Sequence, residues 1–180
     1  MLPLEIRTPR LLLRPWSVRD VDDLLGYAND EQWSRYIPAP FPYGEDDARR
    51  FVELQTRLDW KRHHGWAMEH DGRASGGLDV RIDVDTRLGQ LDYALARRLW
   101  NRGLMTEALR TVIDFAFDRV PILIRIESSV HVRNQASMRV LEKVGMTRMS
   151  RRCERSEVGL EVSFGLSRAT WEARGSPPSP

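Results

Sequence analysis

Apolar residues alternate with polar or small ones along Leu91, Tyr93 and Leu95, a period of two that predicts a strand with one buried face. Past Trp100 the period changes. Leu104, Ala108, Val112 and Phe115 recur about one turn apart, as on one face of a helix. Between the two lies a short basic turn, Trp100-Asn101-Arg102-Gly103. The same two periods run through the rest of the chain. Leu11 to Trp16 reads as a first strand, and Ser17 with Asp20 three residues on is the start signature of a helix running through Leu24, Leu25 and Tyr27 to about Asn29. Glu45 to His64 predicts a second helix, acidic at its start and ending on His63-His64, the order of charge that a helix dipole prefers. Trp66 to Glu69 and Gly76 to Val84 read as strands about an Asp71-Gly72 turn, and Arg87-Leu88-Gly89 turns into the strand before the basic loop. Ile122, Ile124 and Ile126 alternate with Leu123, Arg125 and Glu127, which predicts another strand. A short helix follows, with Asn134 as N-cap, Ala136, Val140 and Val144 on one face and Gly145 as left-handed C-cap. Arg148 to Arg155 and Leu160 to Leu166 predict a hairpin about Glu157-Val158-Gly159. Between Trp33 and Tyr43, four aromatics and three prolines argue against a long regular element.

These elements fit one domain over residues 1–172, followed at 173–180 by a Pro- and Ser-rich tail expected to be disordered. Hydrophobic residues at 41% and charged residues at 30% argue for a folded core. The net charge of +2 is small and the arginines are scattered without a basic stripe, so neither nucleic acid nor a membrane is an expected partner. A single cysteine, Cys153, cannot form an internal disulfide, and the four histidines lack metal-ligand spacing, so no metal is expected. The N-terminus lacks the apolar core of a signal peptide and no run is long enough to span a bilayer, which makes a cytoplasmic location the expectation.

The basic turn carries the most chemistry. At a helix start the first N–H groups have no partner in their own helix, and the dipole places partial positive charge there. Gly103 lets the backbone approach a ligand and Arg102 adds a full charge, so a phosphate group fits, as does an ordinary strand-to-helix turn. Neither GxxxxGK[ST] nor GxGxxG is present, which leaves a pyrophosphate held by backbone amides without metal as the anion-binding reading.

Three segments together resemble the GNAT family of N-acetyltransferases, in its branch of ribosomal-protein N-terminal acetyltransferases. The family's pyrophosphate loop, Gln/Arg-x-x-Gly-x-Gly/Ala, falls on Trp100, Gly103 and Met105, with Met105 standing where the pattern has a small residue. Its Asn-x-x-Ser helix falls on Asn134, Ser137, Lys143, Gly145 and Met146, and Thr8-Pro9-Arg10-Leu11-Leu12-Leu13-Arg14-Pro15 is similar to the branch's first strand. The likeness runs from about residue 7 to about residue 171. It implies a single α/β (α+β) domain, its central sheet mixed, mostly antiparallel, twisted and of about six to seven strands flanked by helices. That sheet would splay between the strand before the loop and the next.

The resemblance further implies transfer of an acetyl group from acetyl-CoA to a primary amine, on a protein N-terminus or a small molecule, by direct attack in a ternary complex. In that chemistry the amine must be neutral, the carbonyl oxygen needs hydrogen bonds, and the leaving thiolate needs a proton. No covalent enzyme intermediate is required, so Cys153 reads as a structural thiol. By the same resemblance, Tyr93, Ala94 and Leu95 run along the pantetheine arm, and Asn101, Arg102, Gly103, Leu104, Met105 and Thr106 hold the pyrophosphate. Asn134 and Lys143 complete the cofactor site, and Ser137 lies near the thioester sulfur. Asp92 and Glu161 are candidate bases, or equally exposed strand carboxylates. Trp33 and Tyr36 are candidate acceptor contacts, or cover for the core. A CoA-binding sensor of the same fold without catalysis is the alternative, and a homodimer stays open.

Overall fold

Alternation along each strand decides which layer its side chains join, and two helical layers receive them. The structure is a computed structural model that describes residues 1–156 and 159–175, with backbone only from 150 to 156. The strands are β1 (Ile6–Arg7), β2 (Leu12–Pro15), β3 (His63–His70), β4 (Arg73–Asp83), β5 (Leu88–Leu95), β6 (Arg125–His131), β7 (Thr147–Ser156) and β8 (Gly159–Ser167). They form one sheet of eight in the order β1-β2-β3-β4-β5-β6-β8-β7. Every neighbouring pair is antiparallel except β5 and β6.

That exception positions the site. A parallel pair needs a long crossover, and the helix α4 (Leu104–Arg119) supplies it. Its buried residues Leu104, Ala108, Val112 and Phe117 bring one apolar stripe against the sheet. Only Leu88, Gly89 and Gln90 of β5 pair with β6, opposite Arg125, Ile126 and Glu127. Beyond Gln90 the two strands part, and the sheet opens into the splay that the resemblance implies.

One face of the sheet carries Trp66, Leu78, Leu91, Ile126 and Phe164 into the larger core beneath α4 and α5 (Gln135–Lys143). The other carries Trp16, Ala67, Ala94 and Ala96 into a second core under α1 (Val21–Ala28), α2 (Glu31–Ser34) and α3 (Glu45–Thr56). A last short helix, α6 (Arg168–Glu172), closes the described chain. Arg174, past the expected domain limit, still donates to the carbonyls of Val144 (2.9 Å) and Gly145.

Several sequence expectations are corrected here. The sheet has eight strands rather than six or seven, because the two-residue β1 precedes β2. Ser17 and Asp20 do form a capping box, but the helix opens with a 3-10 turn, Val18–Asp20, before α1. The helix expected over Glu45–His64 stops at Thr56. There Asp59 builds a turn, its side chain accepting from the Lys61 amide (3.0 Å) and its carbonyl from the amides of Arg62 and His63 (2.9 Å each). His63 and His64 therefore begin β3. His64 is fully buried between Trp60 and Trp66, and desolvation pushes its pKa below the ordinary range, so it is a neutral core residue rather than a dipole cap. The strand expected at Ile122 begins only at Arg125, with Ile122 43% and Ile124 41% exposed. Their alternation is real, but both side chains lie toward the surface while Leu123 between them is buried. Of the expected hairpin turn, Glu157 and Val158 lie outside the described residues, as do the side chain of Cys153 and residues 176–180.

Candidate active site

The loop between β5 and α4 is shaped by two left-handed residues, Asn101 (φ 61°) and Gly103 (φ 77°). Asparagine tolerates that region and glycine enters it freely. The loop begins where the Trp100 indole N–H donates to the Leu95 carbonyl at 2.7 Å, folding the chain back over the end of β5. Alternating left-handed and ordinary residues turn successive amides to one side, which makes an anion-binding hollow. Among the described residues, none of the amides of 101 to 106 donates to a protein acceptor, and the helix ladder begins with Glu107 N–H to the Gly103 carbonyl at 3.0 Å. The sixteen-residue α4 adds its positive end at the same place.

Asn101, Gly103, Leu104, Met105 and Thr106 line a cleft of about 1360 Å³ that follows the splay between β5 and β6. Arg102 stands on the exposed outer side of the turn and does not line it. Met105 is only 7% exposed and packs in the larger core, so its bulk lies beneath the loop.

On the wall opposite, Asn134 caps α5 by accepting the Ser137 amide at 3.1 Å. The Ser137 hydroxyl does not turn back on its own helix. It lies 2.6 Å from the hydroxyl of Tyr93, which reaches across from β5 and also stands 3.3 Å from the Ser137 carbonyl. Tyr93, Ala94 and Leu95 all line the cleft, but the Tyr93 side chain contributes as well as its backbone. Burial pushes the Tyr93 phenol well above its ordinary pKa, with the Ser137 bond opposing, so the group stays protonated at neutral pH. Arg133, Arg139 and Lys143 line the same side and make it electropositive.

Strand alternation sends Asp92 to the opposite face from Tyr93. Asp92 pairs with Arg81 and is 45% exposed in the cleft. Burial raises its pKa above the ordinary carboxylate range, and Arg81 works against that rise. Its cross-strand neighbour Asp79 accepts from Gln55 Nε2 at 3.1 Å and sits 3.0 Å from His63 Nε2. On the far wall Glu161 pairs in register with His131, and both line the cleft. Tyr36 stacks on His131 with centroids 4.7 Å apart and planes 22° from parallel, while the Arg35 guanidinium stands 5.6 Å from the Tyr36 ring. Trp33 is 7% exposed and packs edge-on against Tyr27 and Tyr43, so it borders the cleft as part of the second core.

The cleft thus brings every expected side chain to one place except Arg102, and adds Gln55, His63, Asp79, Arg81 and His131. Asp79 and Arg81 were discoverable as alternate polar positions in an otherwise apolar strand. His63 was hidden by the helix assigned to it, and His131 by the late start of β6.

The sheet is thus splayed at its one parallel pair, with an amide-lined helix start at the opening. Residues 10–147 match the family model for the acetyltransferase (GNAT) domain, and the chain belongs to that family. It is 34% identical over 146 residues to the "Probable N-acetyltransferase YjcK" of Bacillus subtilis (strain 168), covering 75% of this chain and 79% of that one. In fold it is similar to a GNAT-family acetyltransferase of Bacillus anthracis, with TM-score 0.79 and 22% identity over 92% of this chain and 99% of that. It is also similar to the ribosomal L7/L12 alpha-N-protein acetyltransferase RimL in complex with coenzyme A, with TM-score 0.78 and 17% identity over 94% and 98%. The chain is an acetyltransferase. Among its described residues no helix is long and apolar enough to cross a membrane.

Proposed function

We propose that this enzyme moves the acetyl group of acetyl-CoA to a primary amine, on a peptide N-terminus or a small molecule, by direct attack while both substrates are bound. The observation that carries this reading is the row of unpaired amides at 101 to 106 opening onto the same cleft as Ser137 and Asp92. The amides and the α4 dipole hold the diphosphate. The backbone of 101 to 106 supplies the contacts, with the Arg102 side chain turned away, Asn134 and Lys143 flank the arm, and the edge of β5 from Tyr93 to Leu95, released from pairing with β6, offers its backbone to the pantetheine amides.

Acetyl-CoA is the acyl donor, and its sulfur comes to the Ser137 side of the splay. Attack forms the C–N bond and breaks the C–S bond, and the departing thiolate is held by a hydrogen bond from the Ser137 hydroxyl until it takes a proton from solvent. Tyr93, protonated at working pH, donates to the Ser137 oxygen and so strengthens the hydrogen bond that Ser137 gives the thiolate. Asp92 accepts the proton that the nitrogen loses, from the opposite face, where the acceptor enters between Tyr36 and β5. Glu161 is the second carboxylate on that face.

Release of free thiol from acetyl-CoA in the presence of a panel of peptides and small amines tests the reading. Amine-dependent release supports it. Tight coenzyme A binding with no release for any amine favours the non-catalytic sensor, for which Met105 is the sequence argument. The base is tested by pH. Asp92 must be ionised to work, so kcat/KM falls as pH drops through its raised pKa. With a weakly basic acceptor such as a hydrazide, neutral throughout, that limb belongs to the enzyme. Asp92→Asn is expected to remove it and to lower kcat/KM by about 100-fold. Survival of the limb in the variant would pass the role to Glu161.

A further inference from the structure

The Thr8-Pro9-Arg10 segment has no part in the cleft, yet its side chains hold the first turn of α4 and reach the loop from outside it. Thr8 Oγ1 donates to Glu107 Oε1 at 2.5 Å, the Arg10 amide donates to the same oxygen at 3.0 Å, and Arg10 Nε donates to Oε2 at 2.7 Å. The same guanidinium reaches on through Nη1 to the Arg102 carbonyl at 2.8 Å, and its Nη2 lies 3.6 Å from where a Cβ on Gly103 would stand. None of Thr8, Arg10 and Glu107 lines the cleft. A turn nearly a hundred residues away in sequence therefore braces the back of the loop whose front carries the free amides.

The bracing answers an electrostatic conflict. Glu107 stands in the first turn of α4, the turn whose positive end faces the cleft. A carboxylate there favours the helix, but it would repel a diphosphate held at the same helix end. Arg10 supplies the compensating charge and draws the carboxylate to the rear, leaving Glu107 15% exposed. The bond to the Arg102 carbonyl fixes the peptide between the two left-handed residues, the unit whose rotation would swing the amides out of the hollow.

We propose that Arg10, held by Thr8 and Glu107, is a positioning residue for the diphosphate: a latch that presets the amides of 101 to 106 for the cofactor without touching it. This rests on the reading of that loop as the diphosphate site. A latch that presets a loop removes an ordering cost from binding, and it acts only on donors that carry a diphosphate.

The experiment compares acetyl-CoA with S-acetylpantetheine, which lacks the diphosphate and nucleotide, as donors for the full chain. Titration with coenzyme A accompanies the kinetics. Arg10→Met is expected to raise Kd for coenzyme A and lower kcat/KM for acetyl-CoA by about tenfold. It should leave kcat at saturating acetyl-CoA and kcat/KM for S-acetylpantetheine unchanged. Arg10→Lys keeps a charge for Glu107 but lacks the planar fork that also reaches Arg102. It should shift the same parameters in the same direction and covers the case in which the methionine variant does not fold. Unchanged coenzyme A affinity in a folded Arg10 variant overturns the latch, and so does an equal loss with both donors, which marks a general structural role. Gly103→Val separates the two layers of inference. If it weakens coenzyme A and the Arg10 variants do not, only the latch fails; if Gly103→Val also leaves the affinity unchanged, the loop reading fails beneath it.

Discussion

Ser137→Ala is expected to lower kcat by about 100-fold, the scale of one positioned hydrogen-bond donor, while Kd for coenzyme A stays within about twofold. The split follows from the geometry. The Ser137 amide still caps on Asn134, so α5 keeps its start and the cofactor wall its shape. What disappears is the hydroxyl 2.6 Å from Tyr93. Tyr93→Phe removes the other half of that bond and should slow turnover by about tenfold, because the serine oxygen then loses the donor that stabilises it. The two hydroxyls act as a unit, so the double variant should be little slower than Ser137→Ala alone. Steady-state rates with titration on the same preparations check all of this. Additive losses would mean that the two groups work apart, and an unchanged kcat in Ser137→Ala would remove the serine from the mechanism.

Gly103→Val is expected to weaken coenzyme A by about 100-fold or more. At φ 77° a β-branched side chain meets strain of about 1–3 kcal/mol. The loop relieves that strain by rotating the peptides whose amides would hold the diphosphate. The added methyls also approach Arg10, whose Nη2 already stands 3.6 Å from the new Cβ. Fold stability should fall less than binding, because the buried stripe of α4 from Leu104 to Phe117 is untouched. Titration with coenzyme A beside thermal unfolding measures the difference. Equal affinity would detach the loop from the cofactor.

The legibility of this chain varied with what each element needed in order to be specified. The helix α4 and the strand before it were readable because one buried face and a clear change of period sufficed. The capping box at Ser17 and the N-cap at Asn134 were readable because they are local hydrogen bonds between near neighbours. The end of α3 was not. The acidic-to-basic gradient from Glu45 to His64 looks like a helix, whereas the break comes from an Asp59 turn and from the place that two tryptophans make for His64 in the core. Ile122 and Ile124 mislead for the converse reason, being an alternating pair that lies toward the surface while Leu123 between them is buried. Trp33 reads from the sequence either as an acceptor contact or as cover for the core, since one aromatic in a proline-rich segment does not reveal which side of the chain the core lies on; it packs in the second core and borders the cleft.

Taken alone, the amino-acid order determined the kind of site: a glycine turn at a helix start, an Asn-x-x-Ser helix, and candidate carboxylates on strands. Those are local features, set by backbone preference and by spacing along the chain. Only the tertiary structure decided which groups meet. It brought the Tyr93 phenol to Ser137 across the opening between β5 and β6, and set Asp92 beside Arg81 and Asp79 on the other face. It also tied Arg10 to the back of the loop through Glu107. The physical reason is that each of these contacts joins separate elements or turns of the chain, with partners fixed by strand pairing, by where two strands part and by packing, and no local periodicity carries that information.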